Sequence, residues 1–370
     1  MKRFLTFINE QLVISEGGGA QITDVPSEPI PTEHSRQATA DVKATMSSIN
    51  KATGHVLYGK HENALKNNSA FAGSTKAMAE KTPEELKKVK PKGFGDIDVM
   101  VPEGSSDKLK GALAVGAKHG PYTVTGIKNV GTQTHVQVKH NKTGAHHQID
   151  LEQKSFHPDT QEPTAFSQMS NNSHWDDMKS GLKGVMHKHL LGAVTGANKH
   201  EGVVEGTKRG KPTSEAEPEI RAHTFSVAKG LREKHKPVIE GGKPKTSGGK
   251  PVYTEVKPAE AHYDTDLASI HSKLFGKKPG AGDIESMHSF HGVAKLMKKH
   301  LKPEQQRNTI HSFVGKLHDP KERMIGGDKK EDSEMKSHAI GILKQHFPEH
   351  FDKSMEQHIQ NKRTEFYKSK

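Results

Sequence analysis

Residues 95–101 read Gly95-Asp96-Ile97-Asp98-Val99-Met100-Val101. Acidic and apolar residues alternate with period two, which predicts a β-strand with one face in a core and carboxylates on the other. Ile97, Val99 and Val101 take the core face, while Asp96 and Asp98 project together from the opposite one. Two carboxylates side by side repel, and burying them unpaired is costly. A divalent cation resolves both problems: Mg²⁺ or Mn²⁺ takes hard oxygen ligands, a few carboxylates together with substrate phosphates. A second stretch, His147-Gln148-Ile149-Asp150-Leu151-Glu152, repeats the logic. Asp150 lies between two apolar residues and faces away from the packed side of its strand. If strands 95–101 and 147–152 are neighbours in one sheet, three carboxylates converge, enough for two ions roughly 3.5–4 Å apart. Such a centre suits in-line displacement at an α-phosphorus, which depends on positioning and charge neutralisation.

Upstream, Ala70-Phe71-Ala72-Gly73-Ser74-Thr75-Lys76 supplies a Gly-Ser turn leading into a helix. Its backbone N–H groups and the Ser74 hydroxyl suit a phosphate, and Lys76 adds a point charge for the β- or γ-phosphate. Gly-Ser, then Asp-Ile-Asp-Val on a strand, then a single Asp on a later strand resembles the DNA polymerase beta superfamily of nucleotidyltransferases. The resemblance covers residues ~70–152. It implies an α+β fold: a small mixed or antiparallel sheet flanked by helices, here followed by a C-terminal helical bundle. It also implies Asp96, Asp98 and Asp150 as catalytic metal ligands, and Gly73, Ser74 and Lys76 as the nucleotide-binding residues. The substrate would be an NTP, the cofactor Mg²⁺ or Mn²⁺, and the acceptor an RNA, a protein or a small molecule. One departure stands out. The 21 residues between Ser74 and Asp96 exceed the family's spacing. An insertion around 80–93 is therefore expected, bearing Lys81, Lys87, Lys88, Lys90 and Lys92, as a surface lid or acceptor contact.

Composition narrows the field. The net charge of +12 favours polyanionic partners such as nucleic acid or NTP, although the lysines are spread along the chain. An alternative reading is a basic nucleic-acid-binding protein without chemistry. The chain contains no cysteine, which excludes disulfides and thiolate metal sites and fits a reducing cytoplasm. No apolar run approaches the roughly 18 residues of a membrane span, so no membrane partner is expected. The 26 histidines include no H-E-x-x-H pattern, and no zinc site is inferred.

Hydrophobic residues make up only 31%, and Gly (35) and Pro (19) are frequent, so modules joined by polar segments are expected. Residues 1–16 form an amphipathic segment, with a helix over 3–14 ended by Gly17-Gly18-Gly19. Ile14-Ser15-Glu16-Gly17 resembles the cleavage site of capsid-targeting segments in internal head proteins of tailed bacteriophages. That likeness implies capsid association and packaging in a virion, with synthesis in the bacterial host cytoplasm. Residues 17–39 read as linker, 40–235 as the catalytic domain, 236–251 as a Gly-Gly-Lys-Pro-rich linker and 252–370 as a helical domain. Within these, helices are expected over 40–70, 106–119 and 175–194, where Met178, Leu182, Val185, Met186 and Leu190 line one face. Strands are expected over 122–152 and near 221–228. Further helices are expected near 263–275, 283–300, 303–318, 332–346 and 349–367.

Overall fold

A computed structural model of the protein describes residues 22–130, 133–197, 199–200, 203–205, 220–226, 229–257, 261–322, 324–325 and 328–370. The expected helix at 3–14 and the Ile14–Gly17 motif lie outside these residues. The fold is α+β, with one five-stranded mixed sheet, several small sheets and C-terminal helices. The chain divides into two compact units. The first ends at Gly184 and regains Met324–Met335; the second holds the remainder from Val185 onward. The expected boundary at 235–236 falls inside the second unit. No helix among the described residues is long and apolar enough to cross a membrane.

The first unit is built on strands β1 (Ile97–Pro102), β2 (Lys118–His119), β3 (Tyr122–Val130), β4 (Gln133–His140) and β5 (His146–Lys154), in the order β1-β5-β4-β3-β2. β1 runs parallel to β5, and the remaining pairs are antiparallel. Alternation sorts the side chains onto two faces. Ile97, Val99, Val101, Val124, Val136, Val138, Ile149 and Leu151 make one core face with the helix α1 (Ser35–Ala52), which contributes Ala38, Val42, Met46 and Ile49. Each such aliphatic side chain, taken fully out of water, contributes about 1.5–3 kcal/mol. The other face carries Asp98, Gln148, Asp150, Glu152, His135 and Gln137, as the pairing register requires.

Helix 40–70 is shorter than expected. α1 stops at Ala52, and a loop leads to α2 (Asn63–Lys66). Buried Asn50 organises that loop: its amide donates to Gly59 O and Glu62 Oε1, and its carbonyl accepts from Leu57 N and Tyr58 N. The expected 17–39 linker is pinned where it is described. Ile30 pairs with Phe94, and Gln137 donates to Val25 O. The segment crosses β3 at Gly126, where an added Cβ would lie 2.4 Å from Thr23. Helices α3 (Thr75–Glu80), α4 (Pro83–Val89), α5 (Ser106–Ala112), α6 (Ala165–Asn171) and α7 (Trp175–Lys179) follow, and from Val185 on α8 (Gly184–Val194) belongs to the second unit. Helix 106–119 therefore ends at Ala112, with 118–119 in β2. The single helix expected over 175–194 is two, because Gly181 at φ +79° turns the chain between them. Met178, Leu182, Met186 and Leu190 are nonetheless all buried.

In the second unit, the expected 236–251 linker is β structure. Ile239–Glu240 pairs with Lys243–Pro244, and Thr246–Ser247 with Lys250–Glu255. The connecting Gly241-Gly242 and Gly248-Gly249 all have positive φ, as a two-residue hairpin turn of the I′ kind requires. His223–Ser226 is a strand paired with Gly230–Glu233, as the 221–228 pattern suggested over its described part. The C-terminal helices are α9 (Leu267–Phe275), α10 (Asp283–Ser286), α11 (Phe290–His300), α12 (Pro303–Leu317), α13 (Lys329–His346) and α14 (Lys353–Lys368). The helix expected over 283–300 splits because the Ser289 side chain accepts from Gly292 N and starts α11 afresh. Met287, Phe290, Ala294 and Met297 are fully buried, whereas Ile284 is only half-buried and its neighbour Asp283 is buried in its place.

Candidate metal centre on the sheet

β1 and β5 are adjacent and parallel, with Asp98 opposite Asp150. Asp96 lies just before β1, two residues back along the chain. Each of the three offers a carboxylate oxygen, and these lie within 4.8 Å of one another. The convergence expected of Asp96, Asp98 and Asp150 is therefore present. Asp96 joins from the loop entering the strand, not from a strand position.

The electrostatics are those of a crowded acidic site. Burial first, and then the Asp150 carboxylate, push Asp96 up to about 7; Lys90 opposes this and Glu152 adds to it. Lys90 belongs to the expected insertion, so that segment contributes a cation to the site's field. Asp150 is itself buried and has two polar neighbours. His135 Nδ1, from the facing position on β4, is 2.8 Å from its Oδ1, and Gln148 Nε2 donates to the same oxygen at 2.8 Å. Contact with Asp150 raises the His135 pKa. Both contacts fall on Oδ1. Glu152 and Lys154 pair at 3.0 Å farther along β5.

The Gly73-Ser74 turn sits against this group. Gly73 has φ +54°, and an added Cβ would lie 2.2 Å from Asp98 Oδ2. Only glycine lets the turn and the carboxylate share this space. Gly73 N donates to Asn171 O at 2.8 Å and its carbonyl accepts from Ser173 N at 3.0 Å, which anchors the turn to the end of α6. Ser74 is the N-cap residue of α3, yet its hydroxyl makes no capping bond and is not consumed by the helix. Thr75, which the sequence did not single out, fastens the turn to the strand: Asp98 N donates to its Oγ1 at 2.8 Å. Lys76 is half-buried on α3, and among the described residues no hydrogen bond or ion pair joins it to the three carboxylates.

The expected lid at 80–93 is a packed element. Thr82 and Glu85 form a reciprocal capping box with Pro83 at the first turn of α4. Leu86 is fully buried, while Lys87 and Lys88 stay exposed. His135, Gln148 and Thr75 are the site residues that the sequence reading missed. Nothing in the local pattern of β4 marks His135, since only the strand order puts it beside Asp150. Searched against known proteins, the chain matches no protein-family model, no curated protein and no solved structure.

Proposed function

We propose that this chain is a metal-dependent nucleotidyltransferase of the DNA polymerase beta type, with Asp96, Asp98 and Asp150 as its metal ligands. The observation that carries the reading is the parallel, in-register pairing of Asp98 with Asp150 beneath the Gly73 turn. The donor set fits a hard divalent ion. Three carboxylates share a small space, and in the metal-free chain Asp96 is pushed up to about 7 by burial and by Asp150. When bound, Mg²⁺ or Mn²⁺ would supply charge neutralisation for the triphosphate and for the attacking oxygen.

The protein's own residues do the remaining work. Gln148 fixes the rotamer of Asp150 through its hydrogen bond to Oδ1, and the His135 imidazole stands 2.8 Å from the same oxygen as a charge partner. Thr75 and the absent Cβ of Gly73 fix the height of the turn over Asp98. Ser74 presents a hydroxyl to a phosphate oxygen, and Lys76 lies one residue beyond the Thr75 anchor for the outer phosphates. In the reaction, an acceptor hydroxyl oxygen bonds to the α-phosphorus and gives its proton to a carboxylate of the group. The bond from that phosphorus to its bridging oxygen breaks, and pyrophosphate leaves. The acceptor is an RNA, a protein or a small molecule bearing a hydroxyl.

The test is transfer of label from each α-labelled NTP to total tRNA, other RNA and lysate protein, with and without Mg²⁺ or Mn²⁺. Metal-dependent labelling with release of pyrophosphate is expected, falling about 10²–10³-fold in Asp98→Asn. No labelling and no pyrophosphate with any NTP would overturn the reading.

A further inference from the structure

Asp283 begins α10 and is buried, although no apolar period explains its position. Its carboxylate gathers residues distant in sequence. Lys299 Nζ lies 2.7 Å from Oδ1. Gly280 N donates to Oδ2 at 2.9 Å, and His300 Nε2 lies 3.1 Å from the same oxygen. His271 Nε2 is 3.8 Å from Oδ2, too far for a hydrogen bond. One ligand atom from each of His271, Asp283 and His300 lies within 4.8 Å of the others.

His271 is the informative member. It is fully buried on α9, and among the described residues its Nε2 has no hydrogen-bond partner. Its other nitrogen, Nδ1, is 3.0 Å from Lys277 O. A carbonyl only accepts, so Nδ1 carries the hydrogen and the neutral ring keeps a lone pair on Nε2, aimed at the Asp283 carboxylate. A buried imidazole that donates one N–H to a backbone carbonyl and offers its other nitrogen to a shared centre is arranged as metal-bound histidines are. The Phe275 ring packs against both imidazoles, with centroids 4.9 Å from His271 and 6.1 Å from His300, so one wall of the space is dry.

We propose that His271, Asp283 and His300 form a binding site for a divalent transition-metal ion of the Zn²⁺ type, separate from the carboxylate centre on the sheet. Two imidazoles and one carboxylate oxygen favour a borderline ion over Mg²⁺. Tetrahedral coordination with bonds of about 2.1 Å sets ligand atoms ~3.4 Å apart. The observed 3.1 Å and 3.8 Å separations from Asp283 Oδ2 bracket that value. Lys299 occupies Oδ1, so the carboxylate binds through one oxygen. Three protein ligands leave a fourth position for water or an added ligand.

The test uses the full chain, stripped with chelator, in an Asp98→Asn background so that the sheet carboxylates contribute little. Zn²⁺ is titrated in competition with a chromophoric chelator, and Co²⁺ is followed by its visible absorption. One equivalent of Zn²⁺ and a tetrahedral Co²⁺ spectrum are expected. His271→Gln should weaken Zn²⁺ binding by about a hundredfold or more, and Lys299→Met, which releases only the carboxylate's other oxygen, by about tenfold. Equal Zn²⁺ affinity in the parent and His271→Gln, or no Zn²⁺ bound by the parent, would overturn the assignment. A readout without substitution at the site guards against misfolding of the buried variant. The ¹⁵N shift of His271 Nε2 must move on adding Zn²⁺ to the parent, and an unmoved shift at saturating Zn²⁺ refutes the site.

Discussion

The carboxylate group on the sheet and the His271-Asp283-His300 group among the helices solve opposite charge problems. On the sheet, three acids meet one another, with His135 Nδ1 2.8 Å from Asp150 Oδ1. Among the helices, a single acid is surrounded by two imidazoles, a lysine and a backbone N–H. The first place crowds like charges together, which under the proposed function a hard divalent ion would relieve. The second is close to balanced without an ion, and what it lacks is a partner for one nitrogen. Charge surplus and an unmatched lone pair are thus two separate signs of a cation site, and each selects a different ion.

The sharpest way to break this contrast is Gly73→Ala. The new Cβ would fall 2.2 Å from Asp98 Oδ2, so the carboxylate or the turn must move. Nucleotide transfer should fall about 10²–10³-fold. The melting point should change far less, since a non-glycine residue at positive φ costs about 1–3 kcal/mol. Zn²⁺ binding at His271 should be untouched. Unchanged transfer in Gly73→Ala would detach the turn from the chemistry.

A smaller effect is expected from His135→Leu, which removes the imidazole beside Asp150 but no carboxylate. Mg²⁺ affinity, measured by calorimetry, should weaken about 10–100-fold, as for other residues that orient a ligand. An unchanged affinity would mean that Gln148 alone fixes Asp150.

The least drastic prediction concerns pH, where the sheet carboxylates and the buried His189 should respond with opposite sign. Asp96 is raised in the folded chain to about 7. Its favourable contribution is complete below the unfolded carboxylate value and is lost as pH rises through about 7. On α8, His189 is lowered to about 4, by burial first and then by Lys316 and Lys336. Its contribution is complete above the unfolded imidazole value near 6.5 and is lost as pH falls through about 4. Lowering the pH of the metal-free protein from 7 to 5 should therefore tighten the surroundings of β1 and loosen those of α8. Hydrogen exchange resolved by segment checks this, and a loosening shared by both would remove the distinction. Added Mg²⁺ should abolish the pH response around β1 alone, because the ion competes with the proton on Asp96.

The two groups also differ in how far the sequence revealed them. Asp96 and Asp98 were legible because two acids flanked by aliphatic residues announce a strand within a few positions. Asp150 was legible for the same reason, but its adjacency to Asp98 was not. Strand order is a tertiary property, and a parallel neighbour leaves no local mark. His271, Asp283 and His300 come from three helices at irregular spacing, so no short motif announces them. Asp283 even looked like an ordinary helix start, the role acids most often take. The missed hairpins at Gly241-Gly242 and Gly248-Gly249 have another cause. The repeated Gly-Gly-Lys-Pro resembles a flexible linker in composition, and only the two-residue spacing between flanking strands marks a turn. Likewise, the stripe from Met178 to Leu190 gave burial correctly except at half-buried Val185, but not continuity, because Gly181 at positive φ ends the first helix.

The parallel contact between β1 and β5 has a consequence for the order of assembly. Strands β2 to β5 form a chain of neighbouring antiparallel pairs. Such local pairs close small loops and can form early. β1 precedes them in sequence yet must reach past the whole meander to β5 at its far edge, a longer closure. That step alone sets Asp98 beside Asp150. The acidic centre therefore exists only where β1 is docked on β5, and an opening that freed β1 would part Asp98 from Asp150 without breaking any pair of the meander.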